Sequence, residues 1–199
     1  MTSSRVSVAD PALEQLDEAA LVDACLSGHA DAFDLLVRRH QRHVYQLCYR
    51  FVGNHEDASD LSQEVFLRAY RGLRRFRGRA SLGTWLYRIG VNVCLNRVSV
   101  KTPPTETIGT HEHEDTRAES APERLLRAER AVRVRAAIAR LPRKQRATLI
   151  LRMYHEMSHQ EIAEALGSSV GAVKANFFHA LGNLKKLLGP GLAEREGLH

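Results

Sequence analysis

Cysteine is scarce in this chain. Cys25, Cys48 and Cys94 are the only three among 199 residues. Their odd number, wide spacing and lack of any C-x-x-C pair exclude a disulfide scaffold and a thiolate zinc site. They read as reduced thiols in a cytoplasmic protein. No apolar run approaches the roughly 18 residues of a membrane-spanning helix, so no direct membrane insertion is expected. Asp10, Glu14, Asp17, Glu18 and Asp23 crowd the first thirty residues, a density of acid foreign to a secretory leader. With 13 Gly and 6 Pro the chain is neither collagen-like nor of low complexity. Strict apolar–polar alternation, the mark of a half-buried strand, is missing throughout, which leaves an all-α fold. At 44% apolar residues there is enough to bury one ordinary core or two small ones.

The charge present is unevenly placed. The net charge of +6 divides into about −6 over 1–37, +9 over 38–101, −5 over 102–123 and +8 over 124–199. Two basic bodies are thus separated by an acidic connector and preceded by an acidic segment. Arginine supplies nearly all positive charge in the first body, as suits bidentate phosphate contacts. Basic bodies of this kind attract polyanions such as nucleic acid, though charge alone leaves open a role in solubility only. Thr102-Pro103-Pro104-Thr105 ends the first body, because proline cannot continue a helix and biases its predecessor toward extended forms. The polar run behind it reads as a flexible linker, and its His111-Glu-His113-Glu-Asp cluster as a solvated acidic stretch rather than a metal site. Each body is then expected to grip its own stretch of nucleic acid on a slack tether.

Helical periodicity organises the first body. Leu13–Ser27 is predicted as one short helix, 31–52 as a longer one ended by Gly53-Asn54, and a third begins near His55. In that third helix Ala58, Leu61, Val65 and Ala69 form the apolar face. Asp57, Asp60 and Glu64 share another face at i, i+3, i+7, and a core would not hold three carboxylates. Leu73-Arg-Arg-Phe-Arg-Gly-Arg-Ala-Ser81 follows, an arginine-rich loop around one aromatic. Ser81 is the expected N-cap of a fourth helix whose inward stripe includes Leu82, Trp85, Leu86, Ile89 and Val93. Arg88 and Asn92, one turn apart, flank the stripe beside Trp85.

The second body opens at a capping box, Ser120-Ala-Pro-Glu123, and its first helix runs to about Arg140. Leu141-Pro142 breaks the chain before a helix over 143–155. A second capping box, Ser158-His-Gln-Glu161, starts a short helix that Gly167 closes. Ala163, Gly167 and Val173 then stand at the offsets of a helix-turn-helix: a small residue for close approach, a turn glycine and a packing valine. Off the buried stripe of the last helix lie Lys174, Ala175, Asn176, Phe178 and His179. An aromatic there has no packing role, but facing a major groove it can touch thymine methyls. His155-Glu-Met-Ser-His159 matches the zinc-protease pattern H-E-x-x-H. Ser158 reads as the cap of a new helix, however, so the two imidazoles would not sit one turn apart on a continuous helix. No metal or other cofactor is expected.

The stretch Asp57-Ala-Ser-Asp-Leu-Ser-Gln-Glu-Val-Phe-Leu-Arg-Ala-Tyr70, followed by Phe76-Arg-Gly-Arg-Ala-Ser-Leu-Gly-Thr-Trp-Leu-Tyr-Arg-Ile-Gly-Val-Asn92, resembles the signature of bacterial extracytoplasmic-function (ECF) sigma factors of the sigma-70 family. The helix-turn-helix from Ser158 to about Lys186 resembles that family's promoter-reading C-terminal domain. The resemblance implies a detachable initiation subunit of bacterial core RNA polymerase, without catalytic activity, that recognises and melts the −10 element and binds the −35 element. It divides the chain into an acidic segment (1–17), a region 2-like domain (18–101), a flexible acidic linker (102–121), a region 4-like domain (122–189) and a tail (190–199). By matching positions, Asp57, Asp60, Gln63 and Glu64 would dock on the clamp of the largest polymerase subunit. Arg74, Arg75, Phe76, Arg77, Arg79, Ser81, Trp85, Arg88 and Asn92 would hold −10 DNA as a single strand. Arg152, Lys174, Asn176, Phe178 and His179 would read the −35 duplex. Ala175, Asn176 and His179 stand where Ser or Arg are frequent in the family, which predicts weaker phosphate clamping and an altered −35 preference. The expected partners are core polymerase, promoter DNA and an inhibitory anti-sigma factor able to hold the chain at the inner membrane face; the free chain is expected to be monomeric. Two other readings stay open from residues alone: a helix-turn-helix regulator acting without polymerase docking, and the zinc hydrolase that the split pentad argues against.

Overall fold

Helix ends fall where short polar side chains and glycines can satisfy unpaired backbone groups. Residues 11–100 and 121–189 are described by the structure, a computed structural model of the chain. Among them are nine α-helices and no strand: α1 (Pro11–Glu14), α2 (Glu18–Leu26), α3 (Ala30–Val52), α4 (His55–Gly72), α5 (Leu82–Val100), α6 (Ala121–Ala139), α7 (Arg143–Tyr154), α8 (His159–Leu166) and α9 (Val170–Leu188). A single 3₁₀ turn, Leu73–Arg75, follows α4. The segment 1–10, the linker positions 101–120 with their His111–His113 cluster and the cap Ser120, and the tail 190–199 lie outside the described residues.

The single helix expected over Leu13–Ser27 is two. Asp17 accepts a hydrogen bond from the Ala20 N–H at 2.8 Å and so starts α2 afresh. Arg39 of α3 donates to the carbonyls of Glu14 (3.0 Å) and Leu16 (2.8 Å), anchoring the end of the acidic segment to the body. Elsewhere the punctuation follows the sequence. Gly53 ends α3 in the left-handed region at φ 78°, and Gly167 ends α8 at φ 59°. Asn54 and Asp57 cap α4 reciprocally: the Asp57 N–H donates to Asn54 Oδ1 at 2.8 Å and Asn54 Nδ2 donates to Asp57 Oδ2 at 2.9 Å.

In the first domain α3, α4 and α5 pack on one another, with α2 laid on α3. Leu21, Val44, Leu47, Phe51, Val65 and Val91 form its fully enclosed centre; each such side chain is worth about 1.5–3 kcal/mol of burial. Gly90 is where α5 crosses α3: a Cβ at that position would lie 2.6 Å from Leu47 Cδ2, so only glycine permits this separation. The second domain packs α7, α8 and α9 around Leu149, Ile150, Leu151, Ile162, Val173 and Leu184, with α6 against α9.

The two domains are not independent bodies in this structure; α7 lies on α3 and α8 on α5. Arg146 of α7 is only 5% exposed and donates through Nη2 to the carbonyl of Phe51, in the last turn of α3, with its guanidinium 5.5 Å from the Phe51 ring. That carbonyl has no partner within its own helix, and a cation at a helix C-terminus also meets the negative end of the macrodipole. Arg50 of α3 lies over the Tyr154 ring at 4.1 Å. Tyr87 of α5 meets His155, hydroxyl to Nδ1 at 3.0 Å. Arg143 reaches Asn96 at 3.5 Å. The two helical domains expected from the sequence are present and here lie against one another, held by groups that supply hydrogen-bond partners across the join.

Candidate nucleic-acid and protein interfaces

The acidic face of α4 is built from the helix register. Asp60 and Gln63 are exposed, and Glu64 is half-exposed and paired with Arg68 at 2.7 Å, a surface pair of small worth. Asp57 stands apart from them. Besides its cap with Asn54, its Oδ1 takes a 2.7 Å ion pair from Arg97 of α5, and its side chain is only 16% exposed. Two residues that sequence reasoning missed continue the face: Leu67 is 51% exposed and Tyr70 61%, at i+7 and i+10 from Asp60. Their signal was present, since both fall off the Ala58–Leu61–Val65–Ala69 stripe. The result is an apolar strip beside carboxylates, the composition of a protein-binding patch.

A second surface surrounds the arginine loop. Arg74, Arg75, Arg77 and Arg79 are all exposed, while Phe76 folds back so that its ring stands 5.2 Å from Trp85. Ser81 caps α5 as expected, accepting from the Thr84 N–H at 3.1 Å and bonding the Thr84 hydroxyl at 2.9 Å. Trp85 is half-buried, backing on Phe33, Leu36 and Phe66 around a small apolar recess. Arg88 and Asn92 project from α5 as exposed side chains. Exposed arginines thus ring an aromatic pair, with the Asn92 amide two turns along α5 from Trp85, a combination suited to stacking and edge-reading of unpaired bases. Arg88 also lies beside the turn of the helix-turn-helix: a Cβ on Gly167 would be 4.0 Å from its Nη2.

The third surface belongs to α8 and α9. The capping box at Ser158 is complete, with the Ser158 N–H donating to Glu161 at 2.7 Å and the Glu161 N–H donating to Ser158 Oγ at 3.2 Å. Those bonds hold the Glu161 carboxyl below the ordinary carboxylate range. Ser169 caps α9 through the Ala172 N–H at 3.2 Å. Phe178 is 74% exposed, the most exposed large apolar side chain among the described residues, with Lys174 and His179 exposed beside it. Asn176 is half-buried and its amide donates to the Ala172 carbonyl at 2.9 Å, so it must turn outward before it can meet a base. Arg152 donates to the Met157 carbonyl at 2.8 Å, bracing the connection into α8. The H-E-x-x-H pentad is split as the cap implied: α7 ends at Tyr154, Glu156 takes φ 52° and α8 begins at His159.

Sequence reasoning also missed the residues of the domain contact, Tyr87, Asn96, Arg146 and His155. Here the signal was the run Ala147-Thr-Leu-Ile-Leu151, which leaves the middle of α7 without a charged face; the structure buries it together with Arg146. A helix enclosed all round must be covered by more than its own domain's neighbours.

The Sigma-70 region 2 family matches residues 36–102, and the Sigma-70, region 4 family matches residues 131–184. The RNA polymerase sigma-H factor of Pseudomonas aeruginosa is 35% identical over 191 residues, covering 92% of this chain and 99% of that protein. The ECF RNA polymerase sigma-E factor of Escherichia coli is 36% identical over 176 residues, 84% of this chain and 92% of that one. Among solved structures, CnrH in complex with the cytosolic domain of CnrY aligns with a TM-score of 0.61 at 27% identity, over 85% of this chain and 95% of its own. The sigma factor RpoE of Bartonella quintana, bound to the anti-sigma factor NepR, shares the fold at a TM-score of 0.58 and 18% identity, over 78% of this chain and 96% of its own. A matched region 2, a matched region 4 and full-length relatives leave the lone-regulator and hydrolase readings without support, and the chain belongs to the ECF-type RNA polymerase sigma factors of the sigma-70 family.

Proposed function

We propose that this chain acts as an alternative sigma factor whose surfaces divide the work of promoter recognition. Residues 18–101 form the polymerase-docking and −10 domain, 122–189 the −35 domain, and 102–121 the connection. Asp60, Gln63 and Glu64, extended by Leu67 and Tyr70, form the docking face for the polymerase clamp; Asp57 supports it by holding the start of α4 against α5. An acidic rim steers a basic partner and the apolar strip supplies the contact that lasts. Arg74, Arg75, Arg77, Arg79 and Arg88 take phosphates of the melted −10 strand, Phe76 and Trp85 wall the base pocket, Asn92 reads a base edge, and Ser81 fixes the start of α5. Lys174, Phe178 and His179 meet the −35 duplex directly, with Asn176 rotating in and Arg152 holding the entry to α8. Recognition is the whole of the chain's task, and phosphodiester chemistry belongs to the polymerase.

One observation carries the reading: an acidic-apolar docking face, an arginine-ringed aromatic pocket and a helix-turn-helix with an outward aromatic occur on one chain. The packed arrangement is its resting form. Elements named 25 base pairs apart are separated by about 85 Å at 3.4 Å per pair, whereas a compact chain of this size is only about 40 Å across. The domains must part for both elements to be held. Two of the solved relatives are described in complex with CnrY and with an anti-sigma factor; by analogy we infer an anti-sigma partner for this chain, and a cytoplasmic site of action beside the polymerase. Run-off transcription with purified core polymerase over a promoter library tests the assignment and reads both DNA elements at once. Tight binding of operator duplex without polymerase, and no transcript with it, would refute it.

A further inference from the structure

His155 occupies the join between the domains, on the segment linking α7 to α8. Its ring packs 4.8 Å from that of Tyr87, and its Nδ1 shares a hydrogen bond with the Tyr87 hydroxyl. The other ring nitrogen, Nε2, is buried with no hydrogen-bond partner. A neutral ring tolerates that as an unprotonated acceptor, at modest cost. A protonated ring would bury an N–H and a positive charge with nothing to receive either.

The surroundings sharpen the conflict. From α5 the ring meets Tyr87, neutral at ordinary pH; from α3 it feels Arg50 and His43, both cationic or able to become so. Tyr154, its neighbour in sequence, already carries the Arg50 guanidinium on its face. The nearest carboxylates along the chain do not help: Glu156 is exposed, and Glu161 is held by Ser158. Three of the facing groups, Tyr87, Arg50 and His43, belong to the other domain, so separating the domains frees the imidazole from all three at once.

We propose that His155 makes the domain join acid-sensitive, so that protonating its imidazole drives the region 2-like and region 4-like domains apart. The device concerns the packed form alone and does not depend on which promoter, or which partner, the opened chain meets.

Burial first, and then His43 and Arg50, hold the imidazole pKa down to about 4 in the packed form, against 6.5 for an ordinary histidine. A depressed histidine favours the packed form fully above pH 6.5, and that preference fades as pH falls toward 4. Taking 6.5 for the separated form, the ratio of extended to packed molecules rises about tenfold between pH 7.5 and 5.5.

The test counts extended and packed molecules of the full chain by single-molecule energy transfer between labels on α4 and α9, at constant ionic strength. It uses both the wild-type chain and an Arg146→Ala background in which extended molecules are common. The expected result is the tenfold rise in both, abolished by His155→Gln, with helicity by circular dichroism unchanged. A histidine NMR titration of the wild-type chain supplies a readout that needs no variant, and His155 should titrate well below 6.5. A ratio indifferent to pH, an equal rise in His155→Gln, an ordinary His155 titration, or loss of helicity in place of separation would each overturn the proposal.

Discussion

Arg146 is the most informative single residue to remove, because its cost can be worked from its contacts. It reaches from α7 to the Phe51 carbonyl at the end of α3, keeps a second, longer bond of 3.4 Å to Ala139 within its own domain, and is almost wholly buried. A hydrogen bond from a charged donor contributes about 1.5–3 kcal/mol, and truncation also strands a carbonyl that only domain separation would rehydrate. Two terms oppose this. Burial pushes the Arg146 pKa down, a sign that the charge is held at a desolvation cost, and its Nε has no partner. Arg146→Ala should therefore weaken the packed arrangement by about 2–3 kcal/mol, raising the extended-to-packed ratio about 30- to 150-fold. Arg146→Met keeps most of the volume without the buried charge and should cost less. Small-angle scattering and energy transfer on the full chain read the ratio, and circular dichroism checks that both domains remain folded. If the fold survives Arg146→Ala and the chain is as compact as before, the C-terminal cap on α3 does not hold the domains together and the resting-form argument fails with it.

Three further outcomes follow from the surfaces. Phe178→Ala should leave the melting temperature within a degree or two, its ring being 74% exposed, while −35 duplex affinity falls about 5- to 30-fold, the range of an aromatic contact at an interface; a fall of several degrees on melting would mark it as a packing residue. Leu67→Ala should likewise spare stability yet reduce core polymerase affinity about tenfold, and unchanged affinity in a pull-down titration would remove it from the docking face. Asp57→Ala should behave in the opposite way, costing about 1–2 kcal/mol of stability through loss of the Asn54 amide bond to its carboxylate and of the Arg97 pair. Chemical denaturation checks this, and a variant as stable as wild type but unable to bind polymerase would make Asp57 a direct contact.

Much of the architecture was legible because its causes are local. Capping serines, the αL glycines at 53 and 167, and the apolar stripe of α9 each act within a few residues, and the structure places them where the spacing implies. The exposure of Phe178 was legible for the same reason, since it follows from the register of α9, and that of the arginine loop because four unpaired guanidinium groups are too costly to bury. The break at Asp17 was missed because Leu13, Leu16 and Leu21 keep a helical rhythm across it, and only the cap geometry reveals two helices. What sequence could not show was which polar groups find partners forty or more residues away. Arg97 finds its partner on Asp57 and Arg146 on the Phe51 carbonyl, and neither pairing has a counterpart in local spacing. Long-range pairing of this kind leaves no periodicity behind.

Gly90 has a consequence for how this protein can change its taste in promoters. The helix bearing Trp85 and Asn92 rides over α3 at a height set by a side chain that is not there. A methyl group there would lie 2.6 Å from Leu47 Cδ2, so either that buried side chain repacks or the helix lifts, taking Trp85 and Asn92 with it. With Trp85 and Asn92 as the proposed readers of the melted strand, its selectivity is geared to the core through the Gly90–Leu47 contact, and substitutions at Leu47 act on that register from inside the fold.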